Sequence, residues 1–550
     1  MTMPRNNRWT GGSLATPIAV RGGLVLLALL TLGLIGRLLA YPVQHDEQIH
    51  VAAGVLLSQF GLYDDLGYNH LPNLPLLLNA VYTLTGTASF VLVGRFLAVL
   101  WWLAAIGALL LIGWRRAGPL PALWGAILLV TNVLFLTQAG MLITNNVAPI
   151  PFALLGLHFF LRAHEDGVPR PLLSALAGFF IAVAIGFKVN YIFLIPPFAV
   201  AALAMPRGWT MGQRLGRTVL PMLGGGVIGS MPTLLFLAAD TQSFLAHTMR
   251  YFTGAHRLYW LALDAPKNMS LTDKVLIAES VWFAGATLLA AAAALAFALL
   301  PFFSADERPR AARGPALLAL GLAITGAAIS FLPSPAFPQY YTPPMVFIVV
   351  LAVLLYARLG GESRRLGGTV LAAAAILAIA GSASRLGPGL MTLVIPSKWE
   401  GVRIHKQAAR IPARAGDGTH APGTIATLSP IYALEAGARI YPEFAAGPFL
   451  YRVADFIPSD DRRHFRTTSQ RDLARFLDAE PPSAIVTGEE GQLDQAFVNY
   501  AKSRGFLPPR PITRDGAIVV FERSATPPVP GFSKDIGVSG PIPPERPKTP

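Results

Sequence analysis

Repeated apolar runs of bilayer-spanning length are the feature that most constrains how this chain can fold. Residues 22–40 form the first run, and similar runs lie at 90–113 and 366–381. A helix rises about 1.5 Å per residue, so about 20 apolar residues cross the hydrocarbon core of a bilayer. The 550 residues are 53% hydrophobic and only 13% charged. A soluble core cannot bury that much apolar surface, so the chain is predicted to be a polytopic membrane protein.

The length criterion predicts about eleven transmembrane helices in an α-helical bundle. They fall at 22–40, 88–113, 119–139, 146–161, 172–187, 190–205, 218–238, 276–301, 315–332, 341–357 and 367–387. Arg5, Arg8 and Arg21 precede the first run, but no small-residue cleavage site follows it, so it is interpreted as an uncleaved span.

The distribution of basic residues predicts the orientation. They concentrate in every second connection, at Arg115, Arg116, Arg162, Arg170, Arg207, Arg214, Arg217, Arg308, Arg310, Arg313, Arg358, Arg364 and Arg365. By the positive-inside rule these connections and residues 1–21 are cytoplasmic, in a bacterial inner membrane, and an odd number of spans places the C-terminus in the periplasm. The net charge of +14 is thus explained by basic residues in cytoplasmic connections, and it does not indicate a nucleic-acid partner.

The division into domains follows from changes in composition. Residues 22–395 form the membrane domain, with two long outer loops at 41–87 and 240–274, and long loops are usually functional. Residues 396–525 mix short strands and helices, which predicts a small periplasmic α/β domain. The Pro- and Gly-rich residues 526–550 are predicted to be disordered. The chain has no cysteine, so thiolate chemistry is excluded.

The most informative segment is residues 41–50 (YPVQHDEQIH), directly after the first span. Asp46 and Glu47 would lie at the outer membrane surface, where a charged group needs a partner or a substrate. A carboxylate there can act as a general base toward an acceptor hydroxyl or amine. The alternative is structural: Asp46 or His45 would be the N-cap of an interfacial helix, with Glu47 in its first turn.

This segment, together with residues 60–65 (FGLYDD) and 70–75 (HLPNLP), resembles the first outer loop of the glycosyltransferase-C superfamily. The branch of protein O-mannosyltransferases and the lipid A aminoarabinose transferase is the most similar. Residues 187–188 (FK), residues 339–344 (QYYTPP) and the C-terminal domain follow in the order of that branch.

The resemblance implies a membrane glycosyltransferase that moves a sugar from a polyprenyl-phosphate carrier to a lipid, glycan or protein acceptor. It implies Asp46 as the catalytic carboxylate, supported by Glu47. The family commonly has a second acidic residue where this chain has Asn145 and Asn146. Amides supply no charge for a divalent metal, so neither a metal nor another cofactor is expected.

Further substrate-binding candidates each have a structural alternative. Lys188 could neutralise the carrier phosphate or snorkel at a span end. Arg95 could face the cavity, pair with Asp46 or Glu47, or snorkel outward. Asn145 and Asn146 are candidates because amides can bind sugar hydroxyls. The remaining candidates are His45, His70, Tyr340, Tyr341 and the 256–260 cluster. Interfacial anchoring is the alternative for the tyrosines and the cluster, plain polar surface for His70, and a helix N-cap for His45.

Two other functions stay open at the sequence level. A transporter or flippase for a lipid-linked solute would place polar sites near the bilayer midplane and show paired repeats, whereas here the polar residues cluster at outer helix ends. A non-catalytic scaffold would explain the amides at Asn145 and Asn146. No nucleotide-binding fingerprint is present, which argues against a nucleotide as the direct donor.

Overall fold

The computed structural model describes residues 15–205, 208–263, 268–302, 313–411 and 423–523. The predicted disordered tail at 526–550, most of the predicted cytoplasmic N-terminus, and the basic residues Arg207, Arg308 and Arg310 lie outside these ranges. The described chain is mainly helical, with one small sheet near its C-terminal end.

Seven of the described helices are long and apolar enough to cross a bilayer: Pro17–Ala40, Phe90–Arg116, Met211–Ala239, Gly285–Phe302, Arg313–Ser330, Pro338–Tyr356 and Gly361–Leu393. Four shorter apolar helices lie at Pro119–Val130, Pro149–Ala163, Pro171–Phe187 and Val189–Ala204. The predicted class, a polytopic helical bundle, is confirmed. The positions also correspond to the predicted spans, although how many helices cross the bilayer stays a prediction.

Two predicted spans differ from the structure. The helix predicted at 119–139 ends at Val130, and the chain then turns before a short helix at Gln138–Met141. The span predicted at 276–301 consists of two helices, Leu271–Trp282 and Gly285–Leu299. Gly285 has a φ of +49°, a left-handed conformation that interrupts the helix without changing the apolar composition. Hydropathy therefore could not locate the break.

Helices also form in both outer loops. The first loop contains His45–Leu56, which is the interfacial helix predicted to begin at His45 or Asp46, and a second helix at Asn73–Thr85. The second contains the helical segments Thr241–Leu245, Ala246–Arg250, Tyr251–Thr253 and Ala255–Leu261. These elements cover the outer ends of the membrane helices.

The C-terminal region forms the predicted small α/β domain. Its strands are β1 (Thr424–Thr427), β2 (Arg439–Ile440), β3 (Ala484–Thr487), β4 (Arg510–Pro511) and β5 (Val519–Glu522), in the sheet order β2-β1-β3-β5-β4. β1 is parallel to β2 and β3, whereas β5 is antiparallel to β3 and β4. The main helices are Glu400–Ala408, Pro430–Glu435, Pro448–Tyr451, Leu473–Ala479 and Gln495–Ser503.

Carboxylates of this domain fix it to the outer ends of two membrane helices. Glu435 Oε1 accepts a hydrogen bond from the Val91 N–H at 3.0 Å, at the start of the second membrane helix. Glu400 Oε1 accepts one from the Val43 N–H at 3.2 Å, just after the first. Val91 lies in the first turn of its helix, where the N–H groups have no partner within the helix and the helix dipole favours a carboxylate such as that of Glu435. The domain is thus held against the first outer loop.

Candidate active site

A cavity of about 300 Å³ lies where the first outer loop, the second outer loop and the C-terminal domain meet. Six of the predicted site residues line it: His45, Asp46, His70, Asn145, Asn146 and Tyr340. The other lining residues are Ile49, His50, Asn69, Gln138, Thr144, Tyr251, Phe252, His256, Trp260, Phe337, Gln339, Phe449 and Arg452. The fold therefore brings together groups that are up to 400 residues apart in the chain.

Asp46 is the one carboxylate among the lining residues of this cavity. Its side chain is 30% exposed, and its Oδ2 accepts a hydrogen bond from Gln339 Nε2 at 3.4 Å. The N-cap of its helix is Gln44, so neither His45 nor Asp46 caps the helix. Asp46 nevertheless lies in the first turn, where the helix dipole favours negative charge. An accessible, loosely held carboxylate in a cavity has the geometry that a general base requires.

Glu47 points away from the cavity and is completely buried. It forms a two-pronged ion pair with Arg95: Nε to Oε1 at 2.5 Å and Nη2 to Oε2 at 2.5 Å. Glu47 Oε1 also accepts from the Ile143 N–H at 3.1 Å, and Arg95 Nη1 donates to the Met141 carbonyl at 2.9 Å and to the Leu38 carbonyl. The pair thus ties the outer helix to two membrane helices, and neither side chain lines the cavity. Pairing with Glu47 was one of the alternatives for Arg95.

Lys188 lies immediately behind the cavity wall. Its Nζ donates to Asn146 Oδ1 at 2.5 Å and sits 5.2 Å from the centre of the Tyr340 ring. The side chain is buried, with 7% of its surface exposed, so it does not snorkel away from the protein. Both of its neighbours line the cavity, which makes this ammonium a source of positive charge for a ligand there.

The histidines of the cavity are held neutral. Burial lowers the pKa of His70 and that of His256 to about 3, and it also lowers the pKa of His50. His50 Nδ1 is 2.9 Å from the Tyr68 hydroxyl, and its ring packs 5.2 Å from that of His70. These groups can therefore serve as neutral hydrogen-bond partners for a ligand.

Several buried polar atoms at this cavity have no hydrogen-bond partner in the described protein. They are Asn69 Oδ1, His256 Nδ1, Trp260 Nε1, Gln339 Oε1 and Arg452 Nε, and all five residues line the cavity. Buried polar atoms are nearly always paired in native proteins, so a cluster of unpaired ones indicates a ligand site. A mixture of donors and acceptors between aromatic rings is suited to a sugar.

Tyr341 does not reach the cavity, although it was predicted to contact substrate together with Tyr340. Its hydroxyl donates to the Lys274 carbonyl at 3.0 Å, and its carbonyl accepts from Trp282 Nε1 at 2.9 Å. Successive residues of a short helical turn point in different directions, so only Tyr340 faces the cavity.

Sequence reasoning missed Asn69, Gln138, Thr144, Tyr251, Phe252 and Phe337, and it missed two lining residues of the C-terminal domain, Arg452 and Phe449. Nothing in the local sequence distinguishes these last two from surface residues. His256 and Trp260 belonged to a cluster that the sequence singled out, and both line the cavity. Two other cavities, of about 480 and 440 Å³, contain none of the predicted site residues. Among the residues with described positions, no group of three or more histidines and carboxylates is arranged to hold a metal.

Comparison with known proteins agrees with this architecture. Over residues 69–252 the sequence matches the family described as dolichyl-phosphate-mannose-protein mannosyltransferase. The fold is similar to that of ArnT from Cupriavidus metallidurans in its crystal structure bound to undecaprenyl phosphate, with a TM-score of 0.60 and 15% identity over 92% of this chain and 98% of that chain. The apo structure of ArnT gives a TM-score of 0.58 and 14% identity over 93% and 99% of the two chains.

A search of curated protein sequences finds no match. The structural similarity shows a shared fold. The family match begins within the first outer loop and ends within the second. Together they confirm the predicted resemblance to the glycosyltransferase-C superfamily and the prediction of a glycosyltransferase.

Proposed function

We propose that this protein transfers a sugar from a polyprenyl-phosphate carrier to an acceptor on the extracytoplasmic face of a bacterial inner membrane. The observation that carries the proposal is the placement of Asp46, the one lining carboxylate of a sugar-sized cavity at the outer ends of the membrane helices. The binding of undecaprenyl phosphate by ArnT, which has the same fold, supports a lipid-phosphate donor.

Each side chain has a role in this reaction. Asp46 takes the proton of an acceptor hydroxyl or amine as the acceptor atom forms a bond to the anomeric carbon. The bond between that carbon and the phosphate oxygen breaks, and its electron pair stays on the phosphate. Lys188 stabilises the charge that the phosphate gains, because an ammonium in a buried site acts strongly on a nearby anion. The unpaired polar atoms of Asn69, Gln339 and His256 hold the sugar hydroxyls.

The orientation is part of the proposal. Arg115, Arg116, Arg162 and Arg170 converge on Glu165 at nitrogen–oxygen distances between 3.3 and 3.8 Å. Two basic connections therefore share one face of the bundle, as the positive-inside rule requires of cytoplasmic turns. The cavity and the C-terminal domain lie at the other face, which we assign to the periplasm.

Mass spectrometry of envelope glycolipids and glycoproteins tests this function. A strain that lacks the gene should lose one sugar modification, which a plasmid copy of the wild-type gene restores. Asp46→Asn should lower the transfer rate by about 100- to 10,000-fold, the usual contribution of a general base. Asp64→Asn, at an exposed carboxyl of the same loop, serves as the matched control and should restore the modification. Restoration by Asp46→Asn at the wild-type rate would show that Asp46 is not the base.

A further inference from the structure

Arg452 brings a positive charge from the C-terminal domain into the cavity. It directly follows the short helix Pro448–Tyr451, and its guanidinium lies among three aromatic rings. The distances from its central carbon to the ring centres are 5.0 Å for Phe449, 5.7 Å for Tyr259 and 5.7 Å for Trp260. Cation–π contacts with three rings restrict the guanidinium to one region of the cavity wall.

This guanidinium has no carboxylate partner within ion-pair distance among the residues that the structure describes, and its buried Nε has no acceptor. Arg95 and Arg466, by contrast, are both matched by carboxylates. Partial burial of an unpaired cation is costly unless something else compensates for the lost hydration. The aromatic rings and the nearby Tyr251 hydroxyl compensate only in part, because they carry no negative charge.

The charge of Arg452 acts on groups on several sides of the cavity. It adds to burial in lowering the pKa of His256 to about 3, and it also contributes to the lowered pKa of His45. His45 belongs to the first outer loop and His256 to the second, so the guanidinium lies close to both. Lys188 supplies positive charge from the membrane side, behind Asn146 and Tyr340. Two separate cations therefore act on the cavity, and Asp46 is the carboxylate among its lining residues. The Arg452 charge also acts on the buried carboxyl of Glu490, beyond the cavity wall.

We propose, on the basis of the function above, that Arg452 binds an anionic oxygen of the substrate from the C-terminal-domain side. The planar guanidinium presents paired N–H donors that match a phosphate or a carboxylate. The anion is either the carrier phosphate or a carboxylate on the transferred sugar. The C-terminal domain then completes the substrate site instead of only bracing the outer loops.

Binding measurements on the full-length protein in nanodiscs test the proposal and distinguish the two anions. Three probes are needed: undecaprenyl phosphate, undecaprenyl-phosphate-linked glucose and undecaprenyl-phosphate-linked glucuronic acid. Arg452→Gln should lower the binding affinity for at least one of the three probes about tenfold, which is the loss expected for a hydrogen-bonded ion pair. Arg471→Gln is the matched control, since Arg471 lies in the same domain with 84% of its side chain exposed.

The pattern of losses identifies the anion. Weakening of all three probes by Arg452→Gln assigns the residue to the carrier phosphate. Weakening of the glucuronic acid probe alone assigns it to a sugar carboxylate. Arg452→Lys keeps the charge but not the planar pair of donors, so it should lose several-fold less affinity than Arg452→Gln. A thermal melt of each variant checks that it is folded.

Two results would overturn the proposal. If Arg452→Gln and Arg452→Lys bind all three probes with the wild-type affinity, Arg452 does not contact the substrate, while the proposed function stands. If the wild-type protein binds none of the probes, the lipid-phosphate donor is wrong and the role of Arg452 falls with it.

Discussion

Asp46 and Glu47 are neighbours in the chain, yet their environments give them different roles. Consecutive side chains of a helix point about 100° apart, so one faces the cavity while the other faces the bundle. Glu47 is satisfied there by Arg95 and by the Ile143 N–H. Removing one partner of a buried pair of this kind costs about 3–5 kcal/mol. The buried pair therefore fixes the helix that presents Asp46 to the cavity, where the carboxylate contacts His45 at 3.7 Å and Gln339 at 3.4 Å.

Two glutamates of the C-terminal domain should make its stability depend on pH. Burial raises the pKa of Glu489 to about 7 and, with help from the neighbouring Glu489 and Asp494, raises that of Glu490 to about 8. Between about pH 4.5 and pH 8 these two carboxyls hold more protons in the folded protein than in the unfolded chain, so their contribution to stability falls as the pH rises. Burial lowers the pKa of the cavity histidines, so these stay neutral in the folded protein above about pH 7 and are mostly neutral in the unfolded chain as well. The melting temperature should therefore be lower at pH 8.5 than at pH 7.

Glu490→Gln should flatten this dependence, because an amide does not titrate. Glu480→Gln, at an exposed carboxyl of the same domain, is the matched control and should keep the wild-type slope. The measurement is a thermal melt of the full-length protein in detergent at a series of pH values. An equally steep profile in Glu490→Gln would show that Glu490 is not the titrating group. The charge of Asp46 helps to raise the pKa of Glu490, so the same titration bears on the active site.

The sequence predicted those site residues that stand out locally as polar residues next to apolar runs. Asp46, His70, Asn145 and Asn146 all lie in the first half of the membrane domain, in segments whose polar residues stand out against apolar runs. Arg452 could not be found in this way, since it lies among many exposed arginines in a polar domain. Only the tertiary fold brings it within reach of Asp46. The choice between substrate contact and pairing for Arg95 also needed the structure, which shows the ion pair with Glu47.

At the scale of elements, glycines set the distance between two membrane helices. A Cβ added at Gly225 would lie 1.9 Å from the Ala175 carbonyl oxygen on the neighbouring helix. Such overlap forces the helices apart, so Gly225→Ala should destabilise the protein by about 1–3 kcal/mol. At the adjacent Gly224 nothing lies within 4 Å of an added Cβ. Gly224→Ala should therefore be neutral or slightly stabilising, as expected for alanine in a helix.

Chemical denaturation of the two purified variants checks this contrast. The two glycines are adjacent in the same helix, so a general effect of replacing glycine by alanine should be the same at both. A difference in stability between the two variants therefore reports the contact between the helices. Equal stability of Gly224→Ala and Gly225→Ala would mean that the two helices are not in close contact there. The hydropathy pattern gave the positions of both helices, but it could not indicate which of the adjacent glycines faces the neighbour.

At the scale of the whole molecule, the length of one helix gives the distance between the C-terminal domain and the basic cluster around Glu165. Phe90–Arg116 has 27 residues, which corresponds to about 40 Å. Its first turn binds Glu435 of the C-terminal domain, and its last turn contributes Arg115 and Arg116 to the cluster around Glu165. A length of about 40 Å matches a bilayer with its interfaces. The domain and the basic cluster must therefore lie on opposite sides of the membrane.

The absence of cysteine from the sequence makes this arrangement directly testable. Ser459→Cys places a thiol on an exposed turn of the C-terminal domain, and Glu362→Cys places one in an exposed basic connection. In spheroplasts a membrane-impermeant maleimide should label position 459, and it should label position 362 only after the membrane is disrupted. The unsubstituted protein is the blank for both. Labelling in the reverse order would put Asp46 at the cytoplasmic face, where the proposed reaction with an extracytoplasmic acceptor could not take place.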